Sequence, residues 1–302
     1  MSIYVEVRIY GSLDELWRLT QTPELHARWD LRFTDIEYLP RPDPEQPQQF
    51  LYATRIGFGL AVNGQGETVG EMAGAKGERT SALKFWSDDP KSLIQEGAGY
   101  WRYVPTDDGV RFFTSYDYRV RFGALGRVFD RIAFRPLIGW ATAWSFDRLR
   151  LWIEKGIDPA ISLQRSLIHG IARGAVAFVW LYQGVAPKLL TLHTDELTLL
   201  RQSGISETDA PACAQVLGSC EVAFGLVMLL AFHRRWPLLL TVILMIVATI
   251  GVAIHSASFL LAAFNPVSLN LAMIALACIG LLAGRDLPSA RRCIRKPPKR
   301  GL

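Results

Sequence analysis

The stretch Pro237–Gly284 reads PLLLTVILMIVATIGVAIHSASFLLAAFNPVSLNLAMIALACIGLLAG, and its 48 residues include no Asp, Glu, Lys or Arg. A helix needs about 20 apolar residues to cross the hydrocarbon core of a bilayer, so this stretch is long enough for two crossings. Asn265-Pro266 interrupts it, and we expect a turn there. The sequence therefore predicts an integral membrane protein.

The residues before this stretch supply two further apolar segments. We predict a membrane domain over residues 165–285 with four spans, at about 171–189, 212–232, 237–257 and 267–284. Lys and Arg accumulate on the cytoplasmic side of short flanks. Here they lie before the first span, between the second and third spans, and in a basic tail, residues 286–302, which includes Lys299 and Arg300. We therefore expect an inner (cytoplasmic) membrane location with both termini in the cytosol.

The two halves of the chain differ in charge. Residues 1–160 carry 20 Lys+Arg and 22 Asp+Glu, whereas residues 161–302 carry 13 and 6. Glu6 and Arg8 stand where a signal peptide needs an apolar segment, so we expect the first half to remain in the cytosol. The four cysteines lack CxxC spacing and nearby histidines, and therefore indicate neither a zinc site nor a disulfide scaffold.

The order of predicted elements in the first half favours an α+β fold. An alternating segment at Ile3–Ile9 predicts a strand, and Ser12 with Glu15 forms a capping box that opens a helix. Several strand-like segments follow, the clearest hairpin signal lying at residues 106–109, and a helical period begins after Gly126. We predict an antiparallel sheet around a long C-terminal helix over residues 1–155, followed by a linker at 156–164 and then by the all-α four-helix membrane bundle.

This order, together with the run RPLIGWATAWSFDRLRLW at Arg135–Trp152, resembles the START-like helix-grip superfamily, also called SRPBCC or polyketide-cyclase/lipid-transport proteins. The resemblance covers roughly residues 1–155 and implies a hydrophobic ligand cavity for a lipid, a quinone or a polyketide-like molecule. Five aromatic residues are candidates to line this cavity: Trp101, Tyr116, Tyr118, Trp140 and Trp144. Their spacing is equally typical of a plain core, and both interpretations stay open. His26 is isolated in the sequence, so we do not expect a catalytic base there.

Two patterns in the second half, WxxxGxxPKL at Trp180–Leu189 and ExxxGxxxL at Glu221–Leu229, resemble the DoxX-like family of four-helix membrane proteins. This resemblance covers about residues 165–285. Some members of the family are associated with redox functions such as thiosulfate:quinone oxidoreduction, whereas many have no assigned activity. The family resemblance therefore leaves the chemistry open.

Glu221 is expected at mid-membrane, where a charge costs at least ~2.5–3.5 kcal/mol on insertion scales. From a rise of ~1.5 Å per residue, we expect five polar residues to converge between the helices in the outer half of the bundle. These residues are Gln183, Lys188, Glu221, His255 and Asn270. Such a cluster would bind a quinone head group or relay protons, or else a neutral Glu221 merely joins the helices by a hydrogen bond. Arg173, near the cytosolic end, is expected to snorkel.

Residues 122–136 place Leu125, Val128, Phe129, Ile132 and Phe134 beside Arg121, Arg127 and Arg131. This composition suits a segment that touches the membrane interface, and it equally suits a loop and helix start that pack on the sheet.

The leading functional hypothesis is membrane-tethered binding or transfer of a hydrophobic small molecule by the START-like domain. The alternatives are a non-catalytic or quinone-binding membrane subunit of an oxidoreductase complex, and a structural or assembly protein. The sequence has no Gly-rich dinucleotide loop, no CxxC and no paired haem histidines, so we expect no catalytic residue, bound metal or nucleotide, and only a quinone as a candidate cofactor. The expected partners are the lipid bilayer and a hydrophobic molecule, together with an oxidoreductase partner or a second copy under the alternatives, but no nucleic acid.

Overall fold

The computed structural model describes residues 2–43, 46–57, 59–74, 77–262 and 265–298. The chain forms two compact units, Met1–Ser162 with Pro288–Leu302 and Leu163–Leu287. Lys299 and Arg300 of the basic tail lie outside the described residues.

The first unit is built from seven strands and four helices across the described residues. The strands are β1 (Ile3–Ile9), β2 (Asp35–Tyr38), β3 (Gln49–Gly57), β4 (Leu60–Ala73), β5 (Arg79–Trp86), β6 (Ile94–Thr106) and β7 (Gly109–Val120). The helices are α1 (Leu13–Gln21), α2 (Pro23–Trp29), α3 (Gly123–Phe129) and α4 (Arg135–Lys155), and a π-helical segment, Asp130–Phe134, joins the last two.

The strands form one antiparallel sheet in the order β1-β7-β6-β5-β4-β3-β2. The Ser12 hydroxyl caps α1 by accepting a bond from the Glu15 amide at 3.1 Å. The β6–β7 hairpin closes with Thr106 opposite Gly109, where the sequence predicts it. The long helix α4 packs on the sheet, because Phe146 stacks on Phe112 at 4.5 Å between ring centroids. The predicted α+β helix-grip fold is confirmed.

The C-terminal segment completes this unit. Ile294 and Glu6 of β1 exchange two backbone hydrogen bonds of 2.9 Å, which extends the sheet beyond its edge strand. The Ser289 amide donates to the fully buried Asp147 of α4 at 2.8 Å, and the Cys293 thiol donates to the Ala143 carbonyl at 3.2 Å. From the sequence we expect the first domain to end at residue 155 and residues 286–302 to form a separate tail. In the structure the described part of that tail belongs to the first unit from Pro288 onward.

The second unit is helical. Its helices are α5 (Pro159–Gln183), α6 (Thr194–Gln202), α7 (Ala210–Leu230), α8 (Trp236–His255) and α9 (Pro266–Ala283), with a π-helical segment at Gly184–Leu190 and a 3₁₀ turn at Ala257–Leu261. Among the described residues, α7, α8 and α9 are each long and apolar enough to span a bilayer. A fourth span is counted if residues 159–190 and α6, which meet at 93°, form one bent span. The membrane half of the fold prediction is thus confirmed, with three or four spans.

The predicted snorkelling of Arg173 is wrong, because this residue is only 1% exposed. Its guanidinium donates to the carbonyls of Met228, Ala231 and Arg234 at 2.6, 2.7 and 3.0 Å. The last carbonyls of a helix have no partner within the helix. The guanidinium of Arg173 supplies donors to the carbonyls at the end of α7 and just beyond it. The side chain therefore stays inside the bundle.

Candidate functional site

Glycines and flat aromatic rings form part of the inner face of the sheet, the face directed at α4. Gly64 and Gly66 on β4 lie opposite Tyr52 and Phe50 on β3, and Gly97 on β6 lies opposite Phe85 on β5. A Cβ atom at these glycines would lie 2.2 to 2.4 Å from those rings. Each ring therefore lies over the glycine beside it, and all three aromatic side chains remain half-buried.

The open part of this surface lies on β3, β4 and β5. Thr54, Thr68 and Leu83 are also half-buried on the same face, since strand residues two apart share a side of the sheet. By contrast, Phe112 on β7 is fully buried beneath α4. The half-buried residues of β3 to β5 therefore form a partly exposed surface of aromatic and aliphatic side chains on the inner face, which we call the inner hollow.

A buried polar cluster stands beside the inner hollow. Asp30, which follows α2, is 1% exposed and accepts a bidentate bond from Arg32, with Nε at 2.9 Å and Nη2 at 2.6 Å. Its carboxylate also accepts from the Arg32 amide at 3.0 Å and lies 3.1 Å from Nε2 of His26. The Arg32 guanidinium lies over the Tyr116 ring at 5.5 Å, and the Tyr116 hydroxyl bonds Thr142 of α4 at 2.9 Å. The cluster thereby joins α2, the sheet and α4.

Aromatic rings enclose His26. Trp29, Phe33 and Trp101 lie 5.0, 5.2 and 4.9 Å from the imidazole, and Phe33 contacts Tyr52 of the inner hollow at 5.5 Å. The side chains of His26 and Arg32 are 13% and 12% exposed, so both reach the edge of open space.

The charges of this cluster follow from its burial. Burial alone would raise the pKa of Asp30, but the Arg32 guanidinium and the His26 hydrogen bond outweigh it and hold that pKa well below its ordinary value. Burial lowers the pKa of His26 more than its bond to Asp30 raises it. At neutral pH the site therefore holds a neutral imidazole and a closed Asp–Arg pair. Because the carboxylate already has partners on both oxygens, the arrangement suits recognition of a polar group better than proton abstraction.

The five aromatic residues predicted to line a cavity do not share one surface. Trp101, Tyr116 and Tyr118 lie on the inner face of the sheet, whereas Trp140 and Trp144 lie on another side of α4. Thr142 and Phe146 face the sheet, and residue 144 lies about 200° around the helix from each of them. Trp140 is 44% exposed. Trp144 is only 7% exposed, as the core interpretation expects. Neither residue faces the sheet, because the helix is apolar on more than one side and its period does not identify the side that does.

Sequence reasoning missed Asp30 and Arg32 and undervalued His26. The available signal was the spacing of His26 and Asp30, four residues apart at the end of a helix, which places both side chains on one face. Their burial depends on rings from β6 and β7, which local pattern does not reveal.

A groove of about 540 Å³ lies on the opposite, outer face of the sheet. Its lining includes four carboxylates, those of Asp35, Glu37, Asp88 and Asp89. This acidic lining suits a hydrophobic ligand less well than the apolar side chains of the inner hollow do. Among the described residues, no three His, Cys, Asp or Glu side chains are grouped to hold a metal ion.

The membrane unit contains a second polar group, around Lys188. Its ammonium lies 3.1 Å from the Glu221 carboxylate and 3.3 Å from that of Glu196, and it donates to the Gln183 carbonyl at 3.4 Å. Gly184 and Gly218 allow this approach, since a Cβ on either would lie 2.6 or 2.7 Å from the carbonyl oxygen of the other. The π-helical segment that carries Lys188 is thereby pressed against α7.

The predicted convergence of five intramembrane residues is therefore wrong for two of them. Asn270 instead donates to Thr249 at 3.0 Å, which joins α9 to α8, and His255 is exposed at the end of α8. Counting residues along a helix gives height but not the direction around the axis, which decides which side chains meet. Glu196, which lies between the first two predicted spans, joins the group because α6 lies at 93° to the helical residues that precede it.

Sequence comparisons match this chain to a known family and to a known membrane protein. The model of the DoxX-like family matches residues 177–278. The uncharacterized membrane protein YndG of Bacillus subtilis (strain 168) is 43% identical over 235 residues, which make up 78% of this chain and 79% of that protein.

Solved structures also match the first half. A STAR-related lipid transfer protein from Xanthomonas axonopodis is 15% identical, with a TM-score of 0.39 over 51% of this chain and 86% of its own. The Zhui aromatase/cyclase of a Streptomyces species is 12% identical, with a TM-score of 0.36 over 52% of this chain and 97% of its own.

Proposed function

The chain belongs to the family of the Bacillus subtilis membrane protein YndG, and we propose that its START-like domain binds a hydrophobic small molecule that has a polar, hydrogen-bond-accepting end. The observation that carries this proposal is the half-buried inner hollow beside a buried Asp30–Arg32 pair. Apolar walls with a few fixed polar groups are typical of small-molecule sites. The membrane domain anchors the same chain in a bilayer, where hydrophobic molecules are concentrated.

Each part of the site has a role in this proposal. The rings of Phe50, Tyr52 and Phe85 contact the apolar body of the ligand, because they lie flat and leave the hollow open. Arg32 contacts the polar end, because Asp30 fixes its orientation and its side chain keeps 12% exposure. The proposal involves binding only, and no bond of the ligand is broken.

The test uses the full chain purified in mild detergent, followed by extraction and mass spectrometry of the molecules that it retains. Leu83→Trp fills the inner hollow, whereas Leu51→Trp makes the same change on the outer face, at the acidic groove. We expect the Leu83 variant to lose the retained molecule and the Leu51 variant to keep it. Loss in the Leu51 variant alone would assign the ligand to the groove, and loss in neither would contradict the proposal.

A second candidate function follows from the contact of Lys188 with Glu221 and Glu196. We propose as the alternative that the membrane domain binds a quinone head group there, as part of an oxidoreductase complex, because intramembrane charges mark ligand or proton sites. Quinone content is measured in the full chain in nanodiscs, with Glu221→Ala against Cys220→Ala on the neighbouring exposed position. Quinone retention that is equal in both variants would contradict this alternative.

We further propose that both termini lie in the cytosol and that the membrane is the inner membrane. Residues 1–162 and 288–302 belong to one compact unit, which supports an even number of crossings between them. Reporter fusions after Leu302 and within residues 203–209 test this arrangement, and an active cytosolic reporter at both positions would contradict it.

A further inference from the structure

The helix that precedes α4 exposes its apolar side. Four residues spaced three and four apart along α3 and the π-helical segment share one face. They are Leu125, Val128, Phe129 and Ile132, and they are 79%, 55%, 54% and 73% exposed. In a water-soluble domain such a stripe packs against the core. Here the residues buried on the inner side of this segment are Gly126 and Asp130.

Polar contacts hold the segment in this orientation. Asp130 accepts hydrogen bonds from the Tyr118 hydroxyl at 2.7 Å and from Nε of Arg135 at 2.9 Å. Gly126 lies so close to the sheet end that a Cβ would be 1.8 Å from the Arg121 carbonyl oxygen. The apolar side is therefore turned outward by specific contacts of the polar side. Two residues that the sequence groups with the stripe do not belong to it. Phe134 packs on Tyr118, and Arg121 donates to the backbone carbonyls of Ser87 and Asp89 in the loop between β5 and β6.

Basic side chains flank the stripe. Arg127 and Arg131 are exposed, and neither forms an ion pair with a carboxylate of the described residues. Apolar residues that face one way, with arginines beside them, are typical of helices that lie in the interface of a membrane with anionic lipids. We define Leu125, Val128, Phe129 and Ile132, with Arg127 and Arg131, as the α3 surface.

We propose that the α3 surface docks into the interfacial layer of the same bilayer that the membrane domain spans, with its arginines on anionic head groups. The covalent connection favours this occupant, because only residues 156–158 separate α4 from α5. This proposal does not depend on the ligand of the inner hollow.

The experiment places an environment-sensitive fluorophore on the full chain in nanodiscs. Cys213, Cys220 and Cys278 are replaced by Ala, and Cys293 is kept, because burial raises its pKa to about 12 and leaves the thiol unreactive. Single cysteines then carry a nitrobenzoxadiazole label at Ile132→Cys or, independently, at Leu125→Cys. Leu60→Cys, an exposed apolar position at the β3–β4 turn, is the matched control.

In discs of phosphatidylcholine with phosphatidylglycerol, we expect labels at 132 and 125 to show blue-shifted emission, quenching by brominated lipid and protection from iodide. The label at 60 should show none of these effects. Omitting phosphatidylglycerol, or Arg127→Glu with Arg131→Glu, should reduce the lipid quenching.

Three results would overturn the proposal. The first is iodide access at 132 and 125 equal to that at 60. The second is a blue shift that requires two protein copies in one disc, which would assign the α3 surface to a second copy. The third is lipid quenching that is insensitive both to phosphatidylglycerol and to the arginine substitutions, since the head-group contact would then be absent.

Discussion

Replacing Asp30 by Ala should destabilise the first domain more than the removal of an exposed ion pair does. The carboxylate accepts bonds from three donors of Arg32 and lies against His26, all in a buried cluster. Removing one partner of a buried pair leaves the other charge uncompensated, which typically costs about 3–5 kcal/mol. Asp108, which pairs with Arg8 at the surface, is the matched control, because exposed pairs contribute about 0–1 kcal/mol.

The assay is amide hydrogen exchange of strands β6 and β7 in the full chain in detergent, because it reports the opening of this domain separately from the membrane helices. We expect Asp30→Ala to lower the free energy of opening by about 3–5 kcal/mol and Asp108→Ala to lower it far less. Asp30→Ala combined with Arg32→Met should recover most of the loss, because no buried charge remains unpaired. Equal losses for Asp30→Ala and Asp108→Ala would refute the reasoning, and so would a double variant no more stable than Asp30→Ala.

Three further predictions concern other parts of the molecule. In the folded domain His26 stays neutral below its ordinary pKa of about 6.5, whereas in the unfolded chain it gains a proton. The domain should therefore lose stability as the pH falls from about 6.5 towards 5. His26→Gln should flatten that loss in the same exchange assay. Arg173→Met should lower the melting temperature of the detergent-solubilised chain, because hydrogen bonds to a charged group contribute about 1.5–3 kcal/mol. Arg173→Lys should show a smaller decrease in melting temperature than Arg173→Met. Gly218→Val should destabilise the bundle by about 1–3 kcal/mol through a clash with Gly184. Gly251→Val should not, because there is open space around Gly251. Equal melting temperatures of the two variants would count against the close contact between Gly218 and Gly184.

Features that depend on neighbouring residues were visible in the sequence. The absence of charge between Pro237 and Gly284 predicts α8 and α9, since a bilayer requires uncharged length and little else. Ser12 and Glu15 predict the start of α1, and residues 106–109 predict the β6–β7 hairpin, because caps and tight turns are local chemistry.

Features that depend on distant residues were not visible. Arg173 is buried because carbonyls near the end of α7 need donors, and no pattern around residue 173 records that need. Trp140 and Trp144 have the same spacing as core residues, yet they lie on a side of α4 away from the sheet. The pairing of Ile294 with Glu6 joins the two ends of the chain, and neither end carries a local signal of it.

That pairing has a consequence for the order of biosynthesis. The residues of β1 are translated before the membrane helices, whereas the segment that lies against its edge and supplies the Ser289 amide to Asp147 is translated after them. Domains generally fold as they emerge from the ribosome, N-terminal part first. This domain, however, lacks its last backbone bonds until every membrane helix has been made, so a prematurely terminated chain carries an open sheet edge and a buried carboxylate without its amide donor. Completion of the soluble domain is therefore coupled to completion of the membrane domain.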